Sequence, residues 1–189
     1  MNLLFITLTI LQSLFATLEQ KTLQSDFTIT IADSQSPSNN SLPMTYAGTL
    51  AMHGKQFILE MFGMEAAYDG NTLYIYSEDT EEITLSVPTE EELTQTNPFL
   101  YAQALLPICQ YAEKVVGDKT QITLTPYDSA AGVSKFILRV ATSNLLPVSA
   151  EIHEVEGNIT TLRLTNPQYT DSVPTCSIKK EGVYVNDLR

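Results

Sequence analysis

The sequence contains few of the residues from which catalytic, metal and nucleic-acid sites are commonly built. Its 189 residues include no tryptophan, two histidines and two cysteines, and 10 lysines and arginines stand against 22 aspartates and glutamates, which gives a net charge of -12. Nucleic acids are bound by clustered cationic side chains, and this chain offers few of them. We therefore expect no nucleic-acid partner.

The residues that could perform chemistry are isolated from one another. His53 and His153 lie in no metal-ligand spacing, and the sequence has no nucleophile elbow, phosphate loop or dinucleotide fingerprint. The acidic stretches "EDTEE" and "TEEEL" fit a solvated turn and the first turn of a helix, where negative charge is favourable. We expect no catalytic residue, no metal ligand and no cofactor, so the chain is predicted not to be an enzyme.

The two cysteines, Cys109 and Cys176, lie far apart and form no CxxC spacing, which indicates neither a zinc site nor a redox motif. They are interpreted as small buried apolar side chains. A disulfide between them is the alternative if the compartment is oxidising. The sequence leaves their redox state open.

A long uninterrupted apolar run is also missing, although the first twenty residues, "MNLLFITLTILQSLFATLEQ", are rich in apolar side chains. A transmembrane helix needs about 20 apolar residues, and polar side chains interrupt this stretch. Its first part resembles the apolar core of a secretory signal but lacks a preceding lysine or arginine. We interpret residues 1–10 as the remnant of a signal segment. Apolar residues at helical spacing predict a first helix over residues 11–23.

The chain between residues 26 and 87 has the pattern of an antiparallel meander of about five strands. "DFTITIA" alternates with period two, and "MTYAGTLAMHGKQFILEMFG" reads as a hairpin that turns near His53-Gly54-Lys55. "YDGNTLYIYSEDTEEITLSV" reads as further strands after the turn at Asp69-Gly70-Asn71. We expect one apolar side of this last stretch, which carries Ile83 and Leu85, to face the protein interior.

The period changes to helical over residues 89–117. Thr89 is a candidate N-cap, Pro98 suits the first turn of a second helix, and Gly117 would end the segment. About four strands and a short tail strand follow. The order predicts one α+β domain over residues 1–189 in which a large antiparallel sheet curls around helices inserted between two meanders.

The ordered segments resemble the LolA-like family, periplasmic carriers of outer-membrane lipoproteins in Gram-negative bacteria. The stretches that carry the resemblance include "LQSDFTITI", "YAGTLAMHGKQFILEM", the hairpin with its DGxxLxxY pattern, "NPFLYAQALL" and the closing strands "ITLTPY", "SKFILRVA", "PVSAEI" and "NITTLRLTN". The resemblance implies an unclosed antiparallel β-barrel of about ten to eleven strands, an N-terminal helix and a helical lid over an apolar cavity for acyl chains.

The same resemblance implies a periplasmic monomer that comes only transiently close to membranes. Its partners would be acylated lipoproteins, an inner-membrane lipoprotein-releasing transporter and an outer-membrane acceptor. The sequence departs from the family at one strand turn, where His53-Gly54-Lys55 replaces the usual basic residue and proline that help to control the lid.

Strand faces and the helical segment give the candidate lipid-binding residues. These are Phe27, Leu50, Met52, Phe57, Leu59, Met61, Ile83, Leu85, Leu100, Leu105, Phe136 and Leu138. Two alternatives remain. One is a lipoprotein-sensing or other lipid-binding protein of the same fold, and the other is a structural or interaction β-domain whose core is filled.

Overall fold

The structure is a computed structural model that describes residues 9–33, 43–128 and 132–189. Most of the proposed signal remnant, residues 1–8, lies outside the described residues. The helices are α1 (Ile10–Leu18), α2 (Glu90–Thr96) and α3 (Pro98–Leu105), and a 3-10 turn, Leu106–Ile108, follows α3. The strands are β1 (Thr22–Asp33), β2 (Met44–His53), β3 (Gln56–Met61), β4 (Met64–Tyr68), β5 (Leu73–Ser77), β6 (Glu82–Ser86), β7 (Cys109–Val116), β8 (Lys119–Pro126), β9 (Val133–Ala141), β10 (Pro147–Glu154), β11 (Asn158–Thr170) and β12 (Tyr184–Asp187).

All twelve strands belong to one sheet in the order β12-β6-β5-β4-β3-β2-β1-β11-β10-β9-β8-β7. Neighbouring strands are antiparallel except that β12 runs parallel to β6. The long pair of β1 and β11 joins the two meanders. Because β12 and β7 are the two edges of the sheet, the barrel is unclosed. The predicted fold class is confirmed, and the sheet has twelve strands where about ten to eleven were expected.

The first helix is shorter than predicted. A capping box between Thr9 and Gln12 starts α1, and the helix ends at Leu18 instead of residue 23. Thr22 and Leu23 already belong to β1, because their backbones pair with Thr170 and Met52 of the neighbouring strands. Long-range sheet pairing therefore outweighs the helical spacing of the last predicted residues.

The predicted helical lid over residues 89–117 is correct only in its first part. Thr89 caps α2 through a capping box with Glu92, and the Asn97 side chain caps α3 by accepting hydrogen bonds from the Phe99 and Leu100 backbone N–H groups. Pro107 lacks the N–H group that a continuing helix needs. Residues 109–116 instead form β7, which pairs with β8 along its whole length.

The main hydrophobic core lies on the concave face of the sheet, where inward-facing strand residues meet apolar residues of α1 and α3. Gly48 of β2 marks the closest approach within it. A Cβ atom at Gly48 would lie 2.2 Å from the backbone oxygen of Glu60 and 2.6 Å from the ring of Phe27. Only glycine fits at this position without displacing the neighbouring strand or the Phe27 ring.

A second, smaller cluster lies on the convex face and corrects the assignment of two predicted site residues. Ile83 and Leu85 pack there against the C-terminal segment, which contributes Ile178 and Val183. The opposite side of the same hairpin carries Leu73 and is part of the main core. Both sides of the hairpin are therefore apolar and covered, so its alternation alone could not identify the inner one.

Both cysteines are buried and free, so no disulfide joins Cys109 and Cys176. Burial raises the pKa of the Cys109 thiol, and burial together with the nearby Asp69 carboxylate raises the pKa of Cys176 to about 11. Across the described ranges, the helices are too short or too polar to cross a membrane.

Candidate functional site

A cavity of about 420 Å³ lies between the concave face of the sheet and the helices α2 and α3. Its volume falls in the range of about 300–1,000 Å³ that is typical of small-molecule sites. The sheet contributes mainly apolar walls, formed by Phe27, Ile29, Leu50, Phe57, Leu59, Val133, Ala150, Ile152 and Leu162. The helical side contributes Thr94, Thr96, Asn97, Pro98 and Tyr101, and Gly132, Glu154 and Thr160 complete the lining.

The structure brings ten of the twelve predicted site residues onto the concave face. Four of them line the cavity: Phe27, Leu50, Phe57 and Leu59. Six lie in the surrounding core without lining the cavity: Met52, Met61, Leu100, Leu105, Phe136 and Leu138. The remaining two, Ile83 and Leu85, lie on the convex face as described above.

The prediction missed the wall formed by β10 and β11. Ala150, Ile152 and Glu154 alternate along β10, and Leu162 of β11 pairs directly with Ala150. The same period-two signal that identified Phe27 was present in "PVSAEIHEV", so this wall could have been found. No sequence pattern indicated that Tyr101 lines the cavity, because this depends on the rotation of α3 about its axis.

The side-chain oxygen and nitrogen of Asn97 both have hydrogen-bond partners within the protein. The side chain is 2% exposed, and its oxygen accepts hydrogen bonds from the N–H groups of Phe99 and Leu100 at 2.9 and 3.4 Å. Its amide nitrogen lies 3.4 Å from the sulfur of Met52. A buried amide that is satisfied in this way fixes the start of α3 over the cavity.

The charged end of the lining is at Glu154, the last residue of β10. Its backbone pairs with Val133, and the next residue, Val155, donates its N–H to the Gly132 carbonyl at 3.0 Å. One carboxylate oxygen of Glu154 accepts a hydrogen bond of 3.0 Å from the Asn158 side chain. Along β10 the lining thus changes from apolar at Ala150 to anionic at the end of the strand.

Tyr101 of α3 faces this charged end across the cavity. Burial raises the pKa of its hydroxyl, and the negative charges of Cys109 in its thiolate form and of Glu154 raise it further. Its ring packs edge-on against Phe136, with the ring centres 6.2 Å apart. A neutral phenol therefore lies within the electric field of the Glu154 carboxylate.

The β2–β3 turn, which departs from the family pattern, is hydrogen-bonded to the end of the first helix and borders a groove beside α2. The Gly54 N–H donates to the Leu18 carbonyl at 2.7 Å, which ties the β2–β3 turn to the end of α1. Lys55 borders a groove of about 160 Å³ together with Glu90 and Leu93 of α2. A basic side chain is therefore present at the β2–β3 turn, beside α2.

The structure is similar to several solved structures. An uncharacterized conserved protein from Thermus thermophilus is 9% identical, covers 93% of this chain and 98% of its own, and gives a TM-score of 0.61. The LolA superfamily protein NE2245 from Nitrosomonas europaea is 13% identical over 88% of this chain and 96% of its own, with a TM-score of 0.42. LprF from Mycobacterium bovis is 12% identical over 89% and 94%, with a TM-score of 0.44.

The observed fold is the one that the sequence resemblance to the LolA-like family implies. The unclosed twelve-stranded sheet, the N-terminal helix and the helices between the two meanders are the architecture that the sequence resemblance implies. At these identities the likeness to solved structures concerns the fold alone. No protein-family model matches the sequence, and no curated protein is significantly similar to it.

Proposed function

We propose that the chain is a non-catalytic periplasmic carrier that shelters the acyl chains of lipoproteins and ferries them from the inner to the outer membrane. The observation that carries the proposal is the apolar cavity of about 420 Å³ on the concave face. An inner-membrane releasing transporter would supply the cargo and an outer-membrane acceptor would receive it. The protein would act as a monomer.

The energetics of the cavity favour an acyl ligand. Burying each methylene group is worth about 0.8 kcal/mol, so ten sheltered methylenes would gain about 8 kcal/mol before the costs of ordering the chain. The strand walls offer no charged group until Glu154, at the end of β10. An acyl chain can therefore lie along them without desolvating an ion.

The cavity also favours the carrier function over the alternative of an interaction domain whose core is filled. A filled core would place side chains where the structure has open volume between Leu59, Ile152 and Tyr101. A lipoprotein sensor of the same fold would use the same cavity, and it differs from a carrier in releasing no cargo to an acceptor. Transfer to an acceptor is therefore the property that separates these two functions.

Mass spectrometry of protein purified without detergent from a secreted form tests the proposal. We expect acylated N-terminal lipoprotein peptides to copurify with the wild type. Leu59→Glu, which places a carboxylate in the cavity wall, should come away empty. The control Glu81→Lys changes charge at an exposed turn residue and should stay loaded. Empty wild-type protein, under conditions that load a known carrier, would favour the interaction domain.

A further inference from the structure

The charge in the cavity lining is negative, and it lies at the end of β10. Among the described lining residues, Glu154 is the one with an ionisable acid or base that is charged at neutral pH. Asn158 occupies one oxygen of its carboxylate, and the described residues give no hydrogen-bond partner to the other. The carboxylate is therefore oriented by the protein while part of it stays open to a ligand.

Two further lining groups complement this carboxylate. Tyr101 brings an aromatic ring and a phenol, and Thr160 brings a hydroxyl group. Neither hydroxyl forms a hydrogen bond within the described part of the chain. Tyr101, Thr160 and Glu154 line the same cavity, and, together with burial, the Glu154 carboxylate contributes to raising the pKa of the Tyr101 hydroxyl. A carboxylate, an aromatic ring and free hydroxyl oxygens together form a suitable receptor for an ammonium group.

We propose that the Glu154 end of the cavity binds an ammonium group carried next to the acyl chains of the cargo. This inference rests on the proposed acyl-binding function and names its substrate class. Two sources share the chemistry: a lipoprotein whose N-terminal acylated cysteine keeps a free α-amine, and an ethanolamine lipid. An N-acylated cysteine or a free fatty acid lacks the cation.

The charge of the site selects against other head groups. A head group with a net negative charge placed beside Glu154 would be repelled, and the described lining residues include no lysine or arginine to offset that repulsion. A neutral hydroxyl head can donate one hydrogen bond to the open oxygen of Glu154 but leaves the negative charge of the carboxylate without a counter-charge, so it binds more weakly than an ammonium group. The net charge of -12 acts in the same direction at longer range.

Competition against a neutral fluorescent acyl-chain analogue tests the site with three simple probes of equal chain length: dodecylamine, dodecanol and dodecanoate. For the wild type at pH 7 we expect dodecylamine to bind about tenfold more tightly than dodecanol, and dodecanoate to bind most weakly. Glu154→Gln keeps the shape and should bring the three affinities within about threefold of one another. Glu156→Gln removes the same charge from an exposed residue outside the lining and should leave the preference unchanged.

Tyr101→Phe separates the ring from its hydroxyl. Retention of most of the amine preference would assign the ring to the ammonium contact, and loss of about half of the preference would assign the hydroxyl. In either case Glu154→Gln has the larger effect on the preference. A larger effect of Tyr101→Phe, or equal binding of all three probes to the wild type, would overturn the ammonium site.

A second pair of competitors separates the two sources. A diacylated lipopeptide with a free α-amine should outcompete its N-acylated counterpart in the wild type but not in Glu154→Gln, which would support the lipoprotein source. Selectivity confined to lysophosphatidylethanolamine over lysophosphatidylglycerol would support the lipid source. If no amphiphile displaces the fluorescent analogue, the carrier function fails together with this site. If all bind without preference, only the ammonium site fails.

Discussion

The two ends of the concave face are built from the same alternating strands, yet one is filled and the other is hollow. Near the β2–β3 turn, Leu14 and Leu18 of α1 are 0% and 2% exposed, and they belong to a solid core. Beneath α2 and α3, the strands border the cavity of about 420 Å³. The strand pattern therefore does not decide whether a sheet face encloses a core or a cavity.

The difference comes from the helices that cover the two ends. The inward side of α1 is formed by leucines, which fill the space beside the sheet. Over the cavity, the end of α2 presents Thr94 and Thr96, whose short side chains leave the space open. Protein cores are usually densely packed, so an empty volume of this size means that no side chains of the protein fill the space. A ligand can take the place of those side chains.

The largest expected effect contrasts one leucine from each end. Leu14→Ala should lower the free energy of unfolding by about 4 kcal/mol, because a fully buried leucine leaves both lost contacts and a new void. Leu59→Ala should lower it by only about 1 kcal/mol, because Leu59 already borders a void. Urea unfolding of both variants measures the difference. Equal losses would show that the two ends are packed alike.

Gly48→Ala should have the next largest effect, because it adds a side chain where β2, β3 and the Phe27 ring approach most closely. The added Cβ would lie 2.2 Å from a backbone oxygen of β3, which cannot move without disturbing the sheet. We expect a loss of about 3 kcal/mol from overpacking, and weaker uptake of a lipophilic dye as the Phe27 ring is pushed aside. Unchanged stability and uptake would contradict the close approach described for Gly48.

A substitution in the convex cluster serves as a control, because it should lower the free energy of unfolding and leave the cavity unchanged. Ile178→Ala should cost about 2 kcal/mol, because Ile178 is 8% exposed and packs in a smaller cluster. Amide hydrogen exchange should speed up in β12 and β6, while dye uptake stays at the wild-type level. Loss of dye uptake in this variant would mean that the convex cluster supports the cavity.

The smallest expected effect concerns the Cys176 thiol in the C-terminal segment. Its pKa is raised to about 11 in the folded protein, above the ordinary value of 9.0. The folded state therefore binds more protons than the unfolded state between these values. Stability from the neutral thiol is complete below pH 9 and is lost as the pH rises towards 11.

The measurement compares the pH dependence of unfolding in the wild type and in Cys176→Ala. We expect the wild type to lose up to about 2 kcal/mol more than the variant between pH 9 and pH 11. The difference between the two curves removes the contribution of the buried tyrosines. Parallel curves would show that the thiol titrates normally.

The alternating strands and hairpin turns made most of the sheet predictable. Phe27, Leu50, Phe57 and Leu59 were placed on the cavity wall because one face of their strands is consistently apolar. Ile83 and Leu85 were misplaced because the segment that covers them lies about a hundred residues further along the chain. Local periodicity cannot report a partner so distant in sequence.

Two other features were beyond the reach of the sequence pattern. Residues 109–116 carry a mixed pattern between Pro107 and Gly117, and pairing with β8 makes them a strand. The cavity depends on where α2 and α3 end and on how α3 is rotated, which brings Tyr101 into the lining. Such properties are fixed by tertiary packing.

Methyl-resolved NMR during titration with dodecanol is the most direct test of the contrast between the two ends, because its alkyl chain reports on the apolar walls without forming an ion pair with Glu154. We expect saturable shifts of the methyl signals of four residues that line the cavity: Ile29, Leu59, Ile152 and Leu162. The signals of Leu11 and Leu14 in the filled end should stay in place. Absence of shifts at the four lining residues, or equal shifts at both ends, would contradict an acyl-binding cavity confined to the open end.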